Sequence, residues 1–187
     1  MYFFKTITDE VRSSQIRFNK LTQTMKITLV SIFACIAALL QAAGGFLPGI
    51  GFFLSPLATA PILLSAMFSI TLGIRSYLLT IMLLFILQPS ELIVFPFTTG
   101  LVGLGIGLAF SFYKKRLSVI ASGAVLLTLG VTSLLFIFHF PVLGPTVSDA
   151  FSYPITICIF LVAFLYSWFW VEITFVMFKR LKFIMIK

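Results

Sequence analysis

Charge is what this sequence has least of. Only 10% of its 187 residues are Asp, Glu, Lys or Arg, whereas a soluble domain carries about a quarter. Such a chain cannot cover the outside of a water-soluble fold, and with 60% hydrophobic residues and a mean hydropathy of +1.17 it belongs in a bilayer. Acids are scarcer still: Asp9, Glu10, Glu91, Asp149 and Glu172 complete the set, beside a single histidine, His139. One histidine excludes an HExxH zinc centre, which needs two a turn apart. Intramembrane aspartyl chemistry needs two acids within spans, and only Glu172 falls inside an apolar run. The GxSxG nucleophile elbow is also missing. The chain is therefore expected to be no enzyme and to use no metal or other cofactor. Cys35 and Cys158 both lie in apolar runs, without a CxxC pair or a neighbouring histidine, and read as buried structural thiols.

Positive charge is what remains, a net +8 and a pI of about 9.8. In a soluble protein that balance raises the question of nucleic acid; here the charges flank apolar runs, so they read as topology, with no nucleic-acid partner. Six apolar runs follow one another, at roughly 27–43, 52–70, 71–88, 94–113, 117–138 and 153–178. A span needs about 20 residues to cross about 30 Å of hydrocarbon, so these runs use up the chain and leave no room for a separate soluble domain. With six spans, all 13 Lys and Arg fall on one face, in the N-terminal segment, the turn near Arg75, the "KKR" turn at 114–116 and the C-terminal tail. The positive-inside rule then puts both termini in the cytoplasm.

The expected fold class is thus an all-α integral membrane protein of six transmembrane helices, N-in and C-in. Residues 27–187 form a single membrane domain. Residues 1–26 are too long and charged a lead-in for a cleavable signal peptide. From Thr8 onward Val11, Phe18, Leu21 and Met25 share a helical face, with Arg12, Arg17 and Lys20 around it. This predicts a cytoplasmic amphipathic helix lying on anionic lipid.

Three patterns stand out within the spans. "GLVGLGIG", residues 100–107, is no phosphate loop, because no strand precedes it; Gly103 and Gly107 form a GxxxG helix-packing face. Ala34, Ala38 and Ala42, four apart, make a flat strip for a partner helix, in this chain or in another subunit, with Gln41 beside it as a polar group that must find a partner. "AAGGFLPGIGFFLSPLATAP", residues 42–61, is apolar but broken by glycine and proline. It is either a loop folded inward over an outward-facing pocket or an ordinary headgroup turn. The outer connections hold Ser55, Gln88, Ser90, Glu91, His139, Thr146, Ser148, Asp149 and Tyr153.

Over about residues 20–182, this layout resembles the substrate-binding S components of energy-coupling factor (ECF) transporters, small bacterial membrane proteins that capture vitamins. Six spans, an N-in cytoplasmic helix, the AxxxA strip and the broken outer loop leading into "LSPLATAPILLSAMFSITLGIRSYLLT" carry the resemblance. It implies a bacterial plasma-membrane subunit that hands a small nutrient to a transmembrane coupling subunit with two ATPase subunits. Ala34 and Ala38, extended by Ala42, would dock on the coupling subunit. It further implies an outer substrate site with Gln41, Ser55, Thr59, Glu91, Thr98, His139, Asp149 and Tyr153 as polar contacts and Phe52, Phe53 and Phe151 as walls. So few charges point to a weakly polar vitamin or precursor. The alternative is a non-transporting cell-envelope scaffold similar in layout to the small rod-shape-determining subunit, with the aromatic sixth span and the glycine face binding partner helices.

Overall fold

The computed structural model describes residues 22–47, 49–140 and 153–184, with side chains as far as 177. The expected N-terminal amphipathic helix, and Thr146, Ser148, Asp149 and Phe151 of the last outer connection, lie outside the described residues.

Where the sequence is uninterrupted the helices are long. α1 (Gln23–Phe46) begins at Thr22, whose side chain accepts a hydrogen bond from the Met25 amide, satisfying one of the first-turn donors that a helix start leaves open. The next apolar run is interrupted near its start. A single turn, α2 (Gly51–Leu54), passes into a tight 3-10 turn at Ser55–Ala58 with Pro56 in its first positions, and then into α3 (Thr59–Phe68). Ser69 alone, in extended conformation, separates α3 from α4 (Ile70–Leu87). The fourth run is interrupted as well, into α5 (Glu91–Phe97) and α6 (Thr99–Phe112). Pro96 lies inside α5, where it removes a helical donor and crowds the preceding turn, and the break follows at Thr98, with φ −120° and ψ −104°. α7 (Arg116–Phe136) and α8 (Tyr153–Ile184) complete the chain.

Six helical units are long and apolar enough to cross a membrane: Gln23–Phe46, Gly51–Phe68, Ile70–Leu87, Glu91–Phe112, Arg116–Phe136 and Tyr153–Met177. They match the six expected spans to within a few residues, and no strand occurs among the described residues. The surface is the inverse of a soluble protein's, since Leu39, Phe85, Ile86 and Val162 are more than 60% exposed. That pattern suits lipid, and the chain is a multi-pass membrane protein by this measure. α8 has 32 residues and is about 48 Å long, well over one hydrocarbon thickness, so it tilts or extends past the bilayer.

Small residues set the packing. Neighbouring pairs run α1–α4, α4–α3, α3–α6, α6–α7 and α7–α8. At the α3–α6 crossing a methyl on Gly103 would lie 2.8 Å from the Thr59 carbonyl oxygen, and one on Gly107 would lie 2.9 Å from that of Leu63 and collide with Ala66. The GxxxG face is therefore covered by α3. Gly123 on α7 likewise faces Ile106 and Ser167. One core gathers Leu63, Met67, Val102, Ile106, Ile120 and Trp170; the other gathers Ala37, Ala38, Ala42, Ala58, Ile62, Leu84 and Phe95.

The second core decides the fate of the alanine strip. Ala34, Ala38 and Ala42 are buried within this chain, where the strip meets α4, the 3-10 turn and α3, and the Thr80 hydroxyl reaches the Ala34 carbonyl. It is not an open surface for another subunit, because the short side chains let this chain's own helices close over it. The cysteines depart from expectation too: Cys35 and Cys158 are both exposed. Each is apolar enough to stand on an outward helix face, which in a membrane looks into lipid.

Candidate functional site

Gln41 is the most deeply buried amide, 1% exposed on the penultimate turn of α1. A buried amide needs partners, and the two interrupted spans bring them. Glu91 opens α5, and its Oε2 accepts from Gln41 Nε2 at 2.7 Å. Thr99, the first residue of α6 after the break, donates from its hydroxyl to Gln41 Oε1 at 2.7 Å. The break at Thr98 thus places an acid and a hydroxyl from one span on either side of a single amide from another.

Further polar groups surround this triad. A methyl on Gly44 would stand 3.1 Å from Glu91 Oε1 and 3.5 Å from Ser55 Oγ, so glycine lets the carboxylate and the start of the second span pack closely against α1. Gln88 donates to Ser90 at 3.1 Å and its amide lies over Gly45. A second hub ties the same region to the last span. The Tyr166 hydroxyl on α8 shares a 2.6 Å hydrogen bond with Thr59 and donates to the Pro56 carbonyl at 2.9 Å. The Tyr77 hydroxyl donates to the Pro96 carbonyl at 3.1 Å, with its ring stacked on Phe95. Both proline breaks are therefore satisfied by tyrosines from other spans, the condition under which irregular backbone is tolerated at membrane depth.

Of the expected site residues, Gln41, Ser55 and Glu91 come together, and Thr59 joins the Tyr166 hub. Thr98 is buried but turns its hydroxyl back to Val94 of its own helix. Phe52 and Phe53 are 72% and 82% exposed. They do not wall the cluster, because the one-turn helix seats Gly51 against the Ala43–Gly44 backbone and points the next two side chains outward. In stretch 42–61 the Gly51 amide donates to the Leu47 carbonyl at 2.8 Å and Gly49 has φ 81°, and a short helical re-entry follows. His139 is exposed beyond α7 with φ 50° and makes no hydrogen bond to the cluster; Tyr153 is exposed at the start of α8. Thr99, Tyr77 and Tyr166 are participants that pattern reading missed.

Charges among the described residues are segregated. Glu172 pairs with Arg116 at 3.3 Å, and the guanidinium sits 4.1 Å over the Phe175 ring, at the end of the bundle away from Gln41. A depression of about 370 Å³ between α7 and α8, lined by Leu127, Val131, Pro154, Ile159 and their neighbours, has nothing to orient a polar molecule. No group of three or more His, Cys, Asp or Glu that could hold a metal occurs among the described residues.

Fold and cluster together define a polytopic helical membrane protein with a compact polar cluster where two discontinuous spans meet. Comparison with protein-family models, with curated proteins and with solved structures finds no match to the chain.

Proposed function

We propose that the chain is a substrate-binding membrane subunit of the S-component type, taking up a small, weakly polar nutrient such as a vitamin or precursor. The observation that carries this reading is the convergence of Gln41, Glu91 and Thr99, with Ser55 beside them, at the interrupted ends of spans two and four. Discontinuous spans are where membrane transporters place their binding groups, and a few convergent polar groups in an apolar setting are what orients a small ligand. The chain binds its cargo and does not transform it.

In this reading the protein sits in the bacterial plasma membrane with both termini inside. Lys26, Arg75, Lys114, Lys115 and Arg116 gather at the inner end and the Gln41 cluster faces out. Energy comes from a separate transmembrane coupling subunit with two ATPases. Since the alanine strip is spent on this chain's own packing, that partner would use another face. The outward side of α8, with Leu161, Leu165, Trp168 and Phe169 exposed, is also what favours the second reading, a cell-envelope scaffold; the glycine face does not, because α3 covers it.

The test is a thermal-shift screen of the purified protein against vitamins and their precursors. A ligand at a hundred times its Kd adds about 2.7 kcal/mol to the native state. A hit lost in Gln41→Ala is the expected result. No shift across the panel, with copurification of cell-wall machinery in place of an ATPase module, would favour the scaffold.

A further inference from the structure

Between α7 and α8 the surface is hollowed by about 370 Å³. Buried Val131, Ile159 and Ala163 form the floor, exposed Cys158 and Val162 the rim, and Pro154 stands at the end nearest the start of α8. Apart from the Cys158 thiol the lining is hydrocarbon, so the hollow offers nothing to a ligand that must be oriented by hydrogen bonds. Left empty, it would deprive its lining of contact atoms on one side.

What fills it follows from where it opens. Val162 belongs both to the rim and to the outward side of α8, with Leu161 and Leu165 exposed beside it, so the hollow is continuous with the surface that meets lipid. Along α8 the lining runs from Pro154 to Ala163, a rise of about 14 Å, close to half of a hydrocarbon core about 30 Å thick. Tyr153, exposed at the first residue of α8, caps that stretch where aromatic side chains settle at the headgroup level. The hollow thus has the depth of one leaflet. Its size excludes a helix, since two turns about 10 Å across displace about 850 Å³, more than twice what is there. At about 30 Å³ for a water-sized group, it holds roughly a dozen methylenes, which is one lipid tail.

We propose that the α7–α8 hollow is a binding site for one acyl chain of a membrane phospholipid, drawn from the outer leaflet in the orientation given above. The chain is recognised and the head is not, because no charged residue among the described ones lines the site. Seated there, the tail fills the seam between the last two spans. The site is separate from the Gln41 cluster and stands whether or not that cluster takes a nutrient.

The experiment uses the full-length protein, delipidated in glyco-diosgenin, a steroid detergent with no straight chain to compete. Native mass spectrometry follows the first lipid adduct during titration with dioleoyl-phosphatidylcholine, dioleoyl-phosphatidylglycerol or dihexanoyl-phosphatidylcholine. The two dioleoyl lipids should bind alike, and the six-carbon lipid at least about tenfold more weakly. Val131→Phe and Cys158→Phe, which fill the hollow from opposite helices, should each weaken the dioleoyl adduct by a similar factor. Cys35→Phe, the same change at an exposed thiol of α1, should leave it unaltered, and melting temperatures identify any variant that has not folded. An adduct that is equal in all three variants overturns the proposal. So does a preference for phosphatidylglycerol that survives both filling variants, which would place the lipid at the basic inner end. Absence of any adduct, with a dimer mass or without one, would mean that a second copy or this chain itself covers the hollow, and overturns it equally.

Discussion

Gly130→Ala is the perturbation whose cost the structure defines most sharply. A methyl there would be driven into the Phe97 carbonyl, lying 2.7 Å from its carbon, against about 3.5–4.0 Å for relaxed non-bonded contact. The obstacle is backbone, so relief requires α7 and the end of α5 to separate by roughly 1 Å. Overpacking of this kind costs about 1–3 kcal/mol, occasionally more. Alanine returns about 1 kcal/mol through helix propensity, leaving a net loss of up to about 2 kcal/mol. Gly105→Ala supplies the control. Its methyl would meet the Cδ1 atom of Leu126, whose Cβ is 3.9 Å away, and a half-buried leucine end can rotate, so propensity and crowding nearly cancel. Denaturation of the two variants in mixed dodecyl maltoside and SDS micelles, followed by far-UV circular dichroism, should show Gly130→Ala the less stable by up to about 2 kcal/mol. Phe97 is two residues from Thr99, so Gly130→Ala should also loosen the hydrogen bond from Thr99 to Gln41. If Gly130→Ala is as stable as Gly105→Ala, the close backbone contact at the break is not there and the account of span four is wrong.

Two further outcomes are expected. Tyr166→Phe removes the hydroxyl that bridges Thr59 and the Pro56 carbonyl; intramembrane polar contacts average about 0.6 kcal/mol each, so the same micelle titration should show a loss of about 1 kcal/mol, and no change would mean the two spans are not joined there. Because Cys35 and Cys158 are exposed on helix faces, N-ethylmaleimide should label both in folded, detergent-solubilised protein, while a charged methanethiosulfonate should fail to reach them in native membranes. Labelling that requires SDS would restore the picture of buried thiols.

The spans were legible because apolar run length is set by bilayer thickness, a constraint that acts on each segment separately. Proline and glycine likewise announced the break in span two, since their backbone restrictions are local; the break after Pro96 in span four was not read from the sequence, where 94–113 stood as one run. What the sequence could not declare was direction around each helix. Ala34, Ala38 and Ala42 mark a surface suited to close approach, but whether α4 or a foreign helix takes it depends on the whole bundle. The same blindness applies to Cys35, one residue from buried Ala34 and yet exposed. Gln41 and Glu91 were visible as rare polar groups in apolar surroundings. Thr99 was not, since hydroxyls abound in these spans and only the kink at Thr98 aims this one at Gln41. Tyr166 was hidden among the aromatics of the last span, where nothing in its neighbours distinguishes a hydrogen-bonding tyrosine from a lipid-facing one.

The connection between α3 and α4 has a mechanical consequence. One extended residue, Ser69, joins two antiparallel helices, with its amide bonded back to Ser65 and its carbonyl forward to Gly73, and a methyl on Gly73 would lie 2.5 Å from Ala66. The pair is riveted at that tip. At the opposite tip the second span is interrupted by the 3-10 segment at Ser55–Ala58. Like the arms of forceps, the two helices are joined at one extremity only, and what holds the other is not their connection but the grip of α1 and α8 on Pro56 and Thr59 from outside the pair.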